Sequence, residues 1–267
     1  MYALEWFTKT STAEFAIRHF ILKDPNLSMQ QMLEWSKNQN HHVRRLSSEG
    51  CRSRLPWGIR LNQMVKDPSP ILPILENLKA DEELYVRKSV ANNLNDISKD
   101  HPQLALKIAQ KWMGKNERTD WIVRHALRTL LKKGSTEALA MFGMKPQSNC
   151  VMTPVQLSAK NIYVGDDLKF SFQITNTSAK PEKTRIEYGI TYVKENGRTS
   201  TKMFFIGEKE VEPGEHHYTK KQSFKELTTR KHYKGIHQLI IYINGMPGDS
   251  CDFYLEDGAP SFQLRLK

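Results

Sequence analysis

The chain has 267 residues, of which 39% are hydrophobic, 26% charged and 9% aromatic; this length suits two ordinary domains, and the composition excludes disordered, collagenous and coiled-coil classes. No run approaches the roughly 18 consecutive apolar residues of a membrane span, and Met1 to Lys9 lack the basic-then-apolar pattern of a secretory signal, which argues against membrane insertion and secretion. Forty Lys and Arg against 29 Asp and Glu leave a net charge of +11, and residues 1–150, with 23 basic and 15 acidic groups, hold +8 of it, a bias toward a polyanionic partner such as nucleic acid.

From Ser11 to about Phe142 the apolar residues recur at helical spacing, as in Val86, Ser89, Val90, Leu94 and Ile97, and in Val123, Ala126, Leu127, Leu130 and Leu131. Ser11 and Thr12 are N-cap candidates, Pro56, Pro68, Pro70, Pro73 and Pro102 fall between periodic runs, and Gly134 closes the last one, so about six to eight helices are expected. The helices repeat. His42-Val43-Arg44-Arg45-Leu46 returns as Tyr85-Val86-Arg87-Lys88-Ser89 and as Ile122-Val123-Arg124-His125-Ala126, at intervals of 43 and 37 residues. A period near 40 is that of HEAT-like helical pairs, which bury their apolar faces by stacking on one another.

After Pro146 the pattern changes to short alternating runs: Asn161 to Val164, Leu168 to Thr175, Arg185 to Val193, Lys202 to Ile206, Gln238 to Asn244 and Ser250 to Leu255. Turn signals separate them, and the expected fold is a β-sandwich, immunoglobulin-like by strand number and length. The fold class is therefore multidomain, a HEAT-like α-helical repeat solenoid (1–145) followed by an immunoglobulin-like β-sandwich (155–267), with Lys145 to Pro154 as linker. Cys51, Cys150 and Cys251 are odd in number and widely spaced, which suits a reducing cytoplasm better than a disulfide framework.

If each repeated Val begins a core-facing helix, the residues two positions on and then every four form one polar stripe. It holds Arg45 and Glu49, then Lys88, Asn92 and Asp96, then His125, Thr129 and Lys133. Arg44, Arg87 and Arg124 recur beside it, and Arg52, Arg54 and Arg60 extend it. The basic residues suit DNA phosphates. The carboxylates do not, so Glu49 and Asp96 either pair locally with Arg45 and Lys88 or serve chemistry. Glu14 reads as the far member of a capping box opened by Ser11, or as a further acidic group. Trp57 packs in the core, as most tryptophans do, or lies open as an aromatic platform; Trp112 and Trp121 are expected in the core. The sequence contains no phosphate-binding glycine loop, nucleophile elbow or paired-cysteine zinc site, and no cofactor or metal is expected.

The block from Glu14 to Gly143 resembles the AlkC branch of the HEAT-like AlkC/AlkD DNA glycosylases. The matching motifs are Thr10-Ser11-Thr12-Ala13-Glu14-Phe15-Ala16-Ile17-Arg18, His42 to Leu46 through Glu49-Gly50 to Arg52-Ser53-Arg54-Leu55-Pro56-Trp57, Val86 to Asp96, and Trp121 to Arg128. The sandwich resembles the immunoglobulin-like domain that some members carry at the C-terminus. Members normally have two or three more helical repeats ahead of this region, so the resemblance implies a chain short of those repeats.

The resemblance implies a monofunctional glycosylase that removes cationic alkylated bases from duplex DNA: 3-methyladenine, and in this branch 3-methylcytosine and 1-methyladenine. It places Glu14, Glu49, Trp57 and Asp96 at the lesion, implies no cofactor, and implies that the lesion is reached without full base flipping. DNA contacts are expected from Arg44, Arg45, Arg52, Arg54, Arg87, Lys88, Asn92, Arg124, His125 and Arg128. Lys220, Lys221, Arg230 and Lys231, near predicted loops of the sandwich, either clamp the DNA or form a solvated face. The expected partner is double-stranded DNA containing alkylated bases, met by a monomer in the cytoplasm at the nucleoid, with no membrane partner. A non-catalytic HEAT/Ig scaffold, binding DNA or protein, is the alternative.

Overall fold

The computed structural model of the chain describes residues 1–226, 228 and 231–258. It divides into two compact units, one from Met1 to Leu131 and one from Lys132 onward. The first contains α1 (Tyr2–Phe7), α2 (Ala16–Lys23), α3 (Pro25–Trp35), α4 (His41–Glu49), α5 (Asn62–Lys66), α6 (Leu72–Leu78), α7 (Leu84–Asp100), α8 (Pro102–Trp112), α9 (Glu117–Ala126) and the start of α10 (Arg128–Lys132), with a 3-10 turn at Ser69–Ile71. The second adds α11 (Thr136–Met141) and nine strands: β1 (Cys150–Met152), β2 (Gln156–Leu157), β3 (Asn161–Tyr163), β4 (Asp167–Asn176), β5 (Glu182–Val193), β6 (Thr199–Val211), β7 (Gly214–Ser223), β8 (Gly235–Ile243) and β9 (Met246–Glu256).

Eleven α-helices are found among the described residues, more than expected: α1 precedes the stretch read as helical, and Pro73 and Pro102, read as separators, open helices, as Pro25 also does. Pro25 and Pro102 lie in the first turns of α3 and α8, and Pro73 in that of α6, where a missing N–H costs nothing. Side-chain caps fix other starts: Asp24 accepts from the Leu27 N–H, Asn40 from His42 and Asn116 from Arg118, satisfying donors that have no partner inside the helix. Val43, Val86 and Val123 are all fully buried. The three helices that carry the repeated motif pack in series, α4 on α7 and α7 on α9. No helix of the described residues is long and apolar enough to cross a membrane.

In the second unit, β1, β2 and β7 all pair antiparallel with β4, and the other sheet runs β3-β9-β8-β5-β6, with β3 parallel to β9. Alternate residues of β4 (Leu168, Phe170, Phe172, Ile174), β5 (Ile186, Tyr188, Ile190) and β8 (Leu239, Ile241, Ile243) form the core, as the period of two requires. Lys220 and Lys221 lie within β7 rather than in a loop, and Lys221 pairs with Asp167 at 2.9 Å. Lys231 is exposed; Arg230 lies outside the described residues.

Candidate functional site

The site is assembled by the segment that follows α4. Arg18, on the buried face of α2 between Ile17 and Ile21, is itself fully buried. Its Nη1 donates to the carbonyls of Gly50 and Arg52, each at 2.8 Å, and its Nε donates to the carbonyl of Ile59 at 2.7 Å. One rigid guanidinium thus ties both ends of the 50–59 segment together, as its planar fork of donors allows. Burial, opposed by weaker charge interactions, holds the Arg18 pKa below its ordinary value.

Within that segment, Leu55 turns inward and the next residue but one turns outward. Gly58 N–H donates to the Leu55 carbonyl at 3.1 Å, closing a four-residue turn with Pro56 second and Trp57 third. Trp57 has φ 60° and is 100% exposed. Position three of such a turn ordinarily belongs to glycine, and a bulky side chain held there stores on the order of 1–3 kcal/mol of strain. Of the two readings of Trp57 the open one is found and the core one is overturned: Leu55 occupies the inward position, leaving the indole in solvent.

Glu49, at the end of α4, and Asp96, on α7, are brought together by Arg52. Arg52 Nη1 donates to Glu49 Oε1 at 2.7 Å and its Nε to Asp96 Oδ2 at 2.8 Å. Ser89 Oγ donates to the other Glu49 oxygen at 2.6 Å, and Lys99 Nζ to the other Asp96 oxygen at 2.8 Å. Burial pulls the Arg52 pKa down, but Glu49 and Asp96 outweigh it and hold it above its ordinary value. Isolated buried charges cost several kcal/mol each, so the arrangement persists because every carboxylate oxygen has a donor. The local pairing expected of Glu49 with Arg45 is present only as a longer contact of 3.6 Å. Asp96 pairs with Arg52 and Lys99, and Lys88 has no ion pair among the described residues.

Glu14 joins the same group. Its Oε2 accepts from Arg45 Nη1 at 2.5 Å, and Arg45 also reaches Thr12 and lies over the Tyr85 ring. The capping-box reading fails: α2 begins at Ala16 with Phe15 as N-cap and no side-chain cap bond, so Glu14 precedes the helix and its carboxylate is free for Arg45. Three carboxylates, Glu14, Glu49 and Asp96, thus stand against Arg45, Arg52 and Lys99.

Several arginines expected on DNA are committed internally. Arg52 is buried between the carboxylates. Arg44 makes a forked pair with Asp81 at 2.6 and 3.0 Å, and also bonds the carbonyls of Asn38 and Gln39. Arg87 donates to the carbonyls of Asp81 and Glu82, just ahead of its own helix, so of these two recurrent arginines Arg44 ties one repeat to the next and Arg87 fastens the entry to α7. Arg54 forks onto Asp100 at 2.5 and 2.7 Å. Arg128 donates to the His125 carbonyl and to Asn92 Oδ1. Lys88 and Arg124 remain exposed. Trp112 is buried as expected, but Trp121 is 37% exposed and stacks on His125 at 5.2 Å. Burial, then Arg128 and Lys88, lowers the His125 pKa.

Sequence reasoning assigned no role to Arg18, Ser89 or Lys99. A charged residue between Ile17 and Ile21 on an apolar helix face was the available signal for Arg18. Ser89 and Lys99 lie seven residues before and three after Asp96, on its side of α7. Among the described residues no group of three or more His, Cys, Asp or Glu side chains is placed to hold a metal ion.

Comparison with known proteins agrees in both units. The family model described as DNA alkylation repair enzyme matches residues 2–130, and that of the C-terminal Ig-like domain of the uncharacterised protein YhaZ matches residues 151–257. The uncharacterised protein YhaZ of Bacillus subtilis (strain 168) is 53% identical over 252 residues, which cover 94% of this chain and 70% of that protein. The solved structure of Pseudomonas fluorescens alkylpurine DNA glycosylase AlkC, bound to DNA containing an abasic site analog, superposes with a TM-score of 0.90 at 42% identity. It covers 96% of this chain and 71% of its own.

Proposed function

The chain belongs to the DNA alkylation repair enzyme family, and on that premise we propose that it is a monofunctional DNA glycosylase hydrolysing the N-glycosidic bond of cationic alkylated bases in duplex DNA. Its substrates are 3-methyladenine, and with it 3-methylcytosine and 1-methyladenine. The likeness to an alkylpurine DNA glycosylase bound to DNA supports the activity. The helical part, 1–145, is read as HEAT-like repeats that hold the duplex, supported by the buried valines recurring at intervals of 43 and 37 residues, and 155–267 as its immunoglobulin-like companion. A monomer acting at the cytoplasmic nucleoid is the expected setting.

The observation that carries the reading is the pair of buried carboxylates, Glu49 and Asp96, held on the one guanidinium of Arg52, with the strained, exposed Trp57 five residues after Arg52 in the segment that Arg18 ties down. A cationic methylated base is already a good leaving group and needs no protonation. The burden falls on the sugar, which becomes oxocarbenium-like as the bond breaks. Asp96 and Glu49 stabilise that charge and orient the attacking water. Fixed groups of this kind are worth roughly 3–4 kcal/mol each, because no reorganisation is needed when the charge appears. Trp57 lies against the cationic base or the deoxyribose, an attraction of about 1–2 kcal/mol. Glu14 adds to the same field through its pairing with Arg45. Arg52 holds both carboxylates in register.

The test follows release of 3-methyladenine and 3-methylcytosine from methylated duplex under single turnover by chromatography. Asp96→Asn is expected to lose excision at least about a hundredfold while its duplex affinity changes little; Glu49→Gln should behave likewise. Excision by both variants at the wild-type rate would sink the mechanism, and no release by the wild type would sink the activity.

A further inference from the structure

Asp96 has two faces. Its Oδ2 takes the Nε of Arg52, whose side chain is 8% exposed, whereas its Oδ1 takes the Nζ of Lys99, whose side chain is 37% exposed. The inner oxygen is therefore locked, and the outer oxygen is covered by a flexible chain that reaches solvent. Asp96 itself is 1% exposed, so anything that is to meet Oδ1 must take the place of that ammonium. Lys99 lies three residues after Asp96 and seven after Asn92, on the same side of α7 as the Lys88, Asn92 and Asp96 stripe. The Lys99 ammonium can swing outward to water, but the buried Asp96 oxygen that it uncovers must then be met by another cation. The other cations near Asp96 are not free to leave. Arg52 also holds Glu49, and Arg128 is tied to the His125 carbonyl and Asn92.

We propose that Lys99 is a displaceable counter-ion that occupies, in the free protein, the place where Asp96 receives the positive charge of the substrate, and that by competing for that place it moderates the preference for cationic sites. A neutral sugar or base cannot replace the ammonium without leaving the Asp96 charge uncovered. A cation can, and the Lys99 chain then swings to solvent or to a phosphate. Lys99 touches no reacting atom in this scheme; it acts through Asp96. The inference rests on the proposed meeting of Asp96 with positive charge, but its test does not depend on turnover.

Two duplexes serve as probes, each with one abasic mimic: a pyrrolidine azasugar, cationic at neutral pH, and the neutral tetrahydrofuran analogue. Affinities for both, measured by fluorescence anisotropy, give a ratio that cancels general phosphate attraction. Lys99→Met and Lys99→Gln are each expected to raise the preference for the azasugar about tenfold, the effect of removing one competing charge. Lys99→Arg, which keeps the charge and grips the carboxylate more firmly, should stay at or below the wild-type preference. A role confined to stabilising the end of α7 would change the unfolding midpoint and leave the ratio alone. Ratios within twofold of wild type in both Lys99→Met and Lys99→Gln, or a wild type that favours neither mimic over unmodified duplex, would overturn the inference. The shift in preference without base release by the wild type keeps the counter-ion and removes the glycosylase activity; base release with unchanged ratios does the reverse.

Discussion

Trp57 stands wholly in solvent at a φ that glycine adopts freely and a large side chain does not. Its conformation costs stability without any packing gain, as suits the contact with base or sugar proposed for it. Trp57→Gly is therefore expected to raise stability by about 1–2 kcal/mol, the usual cost of a left-handed residue with a Cβ, while lowering single-turnover excision tenfold or more. Urea unfolding beside a base-release assay checks both halves; a variant that is less stable and fully active contradicts them. The acidic pattern of the sequence located Glu49 and Asp96 because their spacing puts them on the inner side of repeated helices. That Arg52 would bridge them was not readable. Arg52 lies after α4 in a segment whose path depends on Arg18, and Arg18 bonds only carbonyls, which leave no trace in side-chain pattern.

At the scale of elements, β8 and β9 join through Asn244 and Gly245, both at positive φ, 50° and 79°. Such a two-residue turn matches the twist of paired strands. Asn244 also donates to the Lys145 carbonyl and accepts from Arg185 N–H. A Cβ on Gly245 would collide with the carbonyl oxygen of Gly134 and come within 2.8 Å of Leu139 Cδ1. Gly245→Ala should thus cost about 3 kcal/mol, combining the left-handed penalty with overpacking against backbone that cannot yield; a thermal midpoint equal to wild type would refute this. Gly134, expected to close the last helix, is followed by α11, which falls within the second unit. The strand β7, Gly-Glu-His-His-Tyr-Thr-Lys-Lys-Gln-Ser, escaped prediction because it is polar throughout most of its length. Only its hydrogen-bonded register with β4 makes it a strand.

Across the whole molecule the titrating groups push stability in one direction on acidification. Arg54 holds Asp100 below the ordinary 3.8 of an aspartate. Burial would raise Glu76 and Glu182, but hydrogen bonds from Lys79 and Trp112 to the first, and from Ser148 and Asn149 to the second, hold both below 4.5. A carboxyl with a depressed folded pKa lends stability above its unfolded value and loses it as pH falls through the folded one. Burial holds His125 and His237 below 6.5, and for these bases the unfolded chain binds the proton first, so acid again favours unfolding. The urea midpoint should decline gently below pH 6.5 and steeply below 4.5; a midpoint that rises on acidification through either range contradicts the assignment.

Period and charge were legible from the chain alone: the switch from a helical to an alternating pattern after Pro146, the recurring valines, the basic bias of the first half and the acidic residues within it. These follow from local rules, since a helix or strand must show its apolar face at a fixed spacing whatever surrounds it. Which partners Arg18, Arg45, Arg52 and Arg54 take depends on carbonyls and carboxylates that come from segments some 30 to 46 residues away. A buried charge must be met by whatever donor or acceptor packing brings to it, and that partner is a property of the fold.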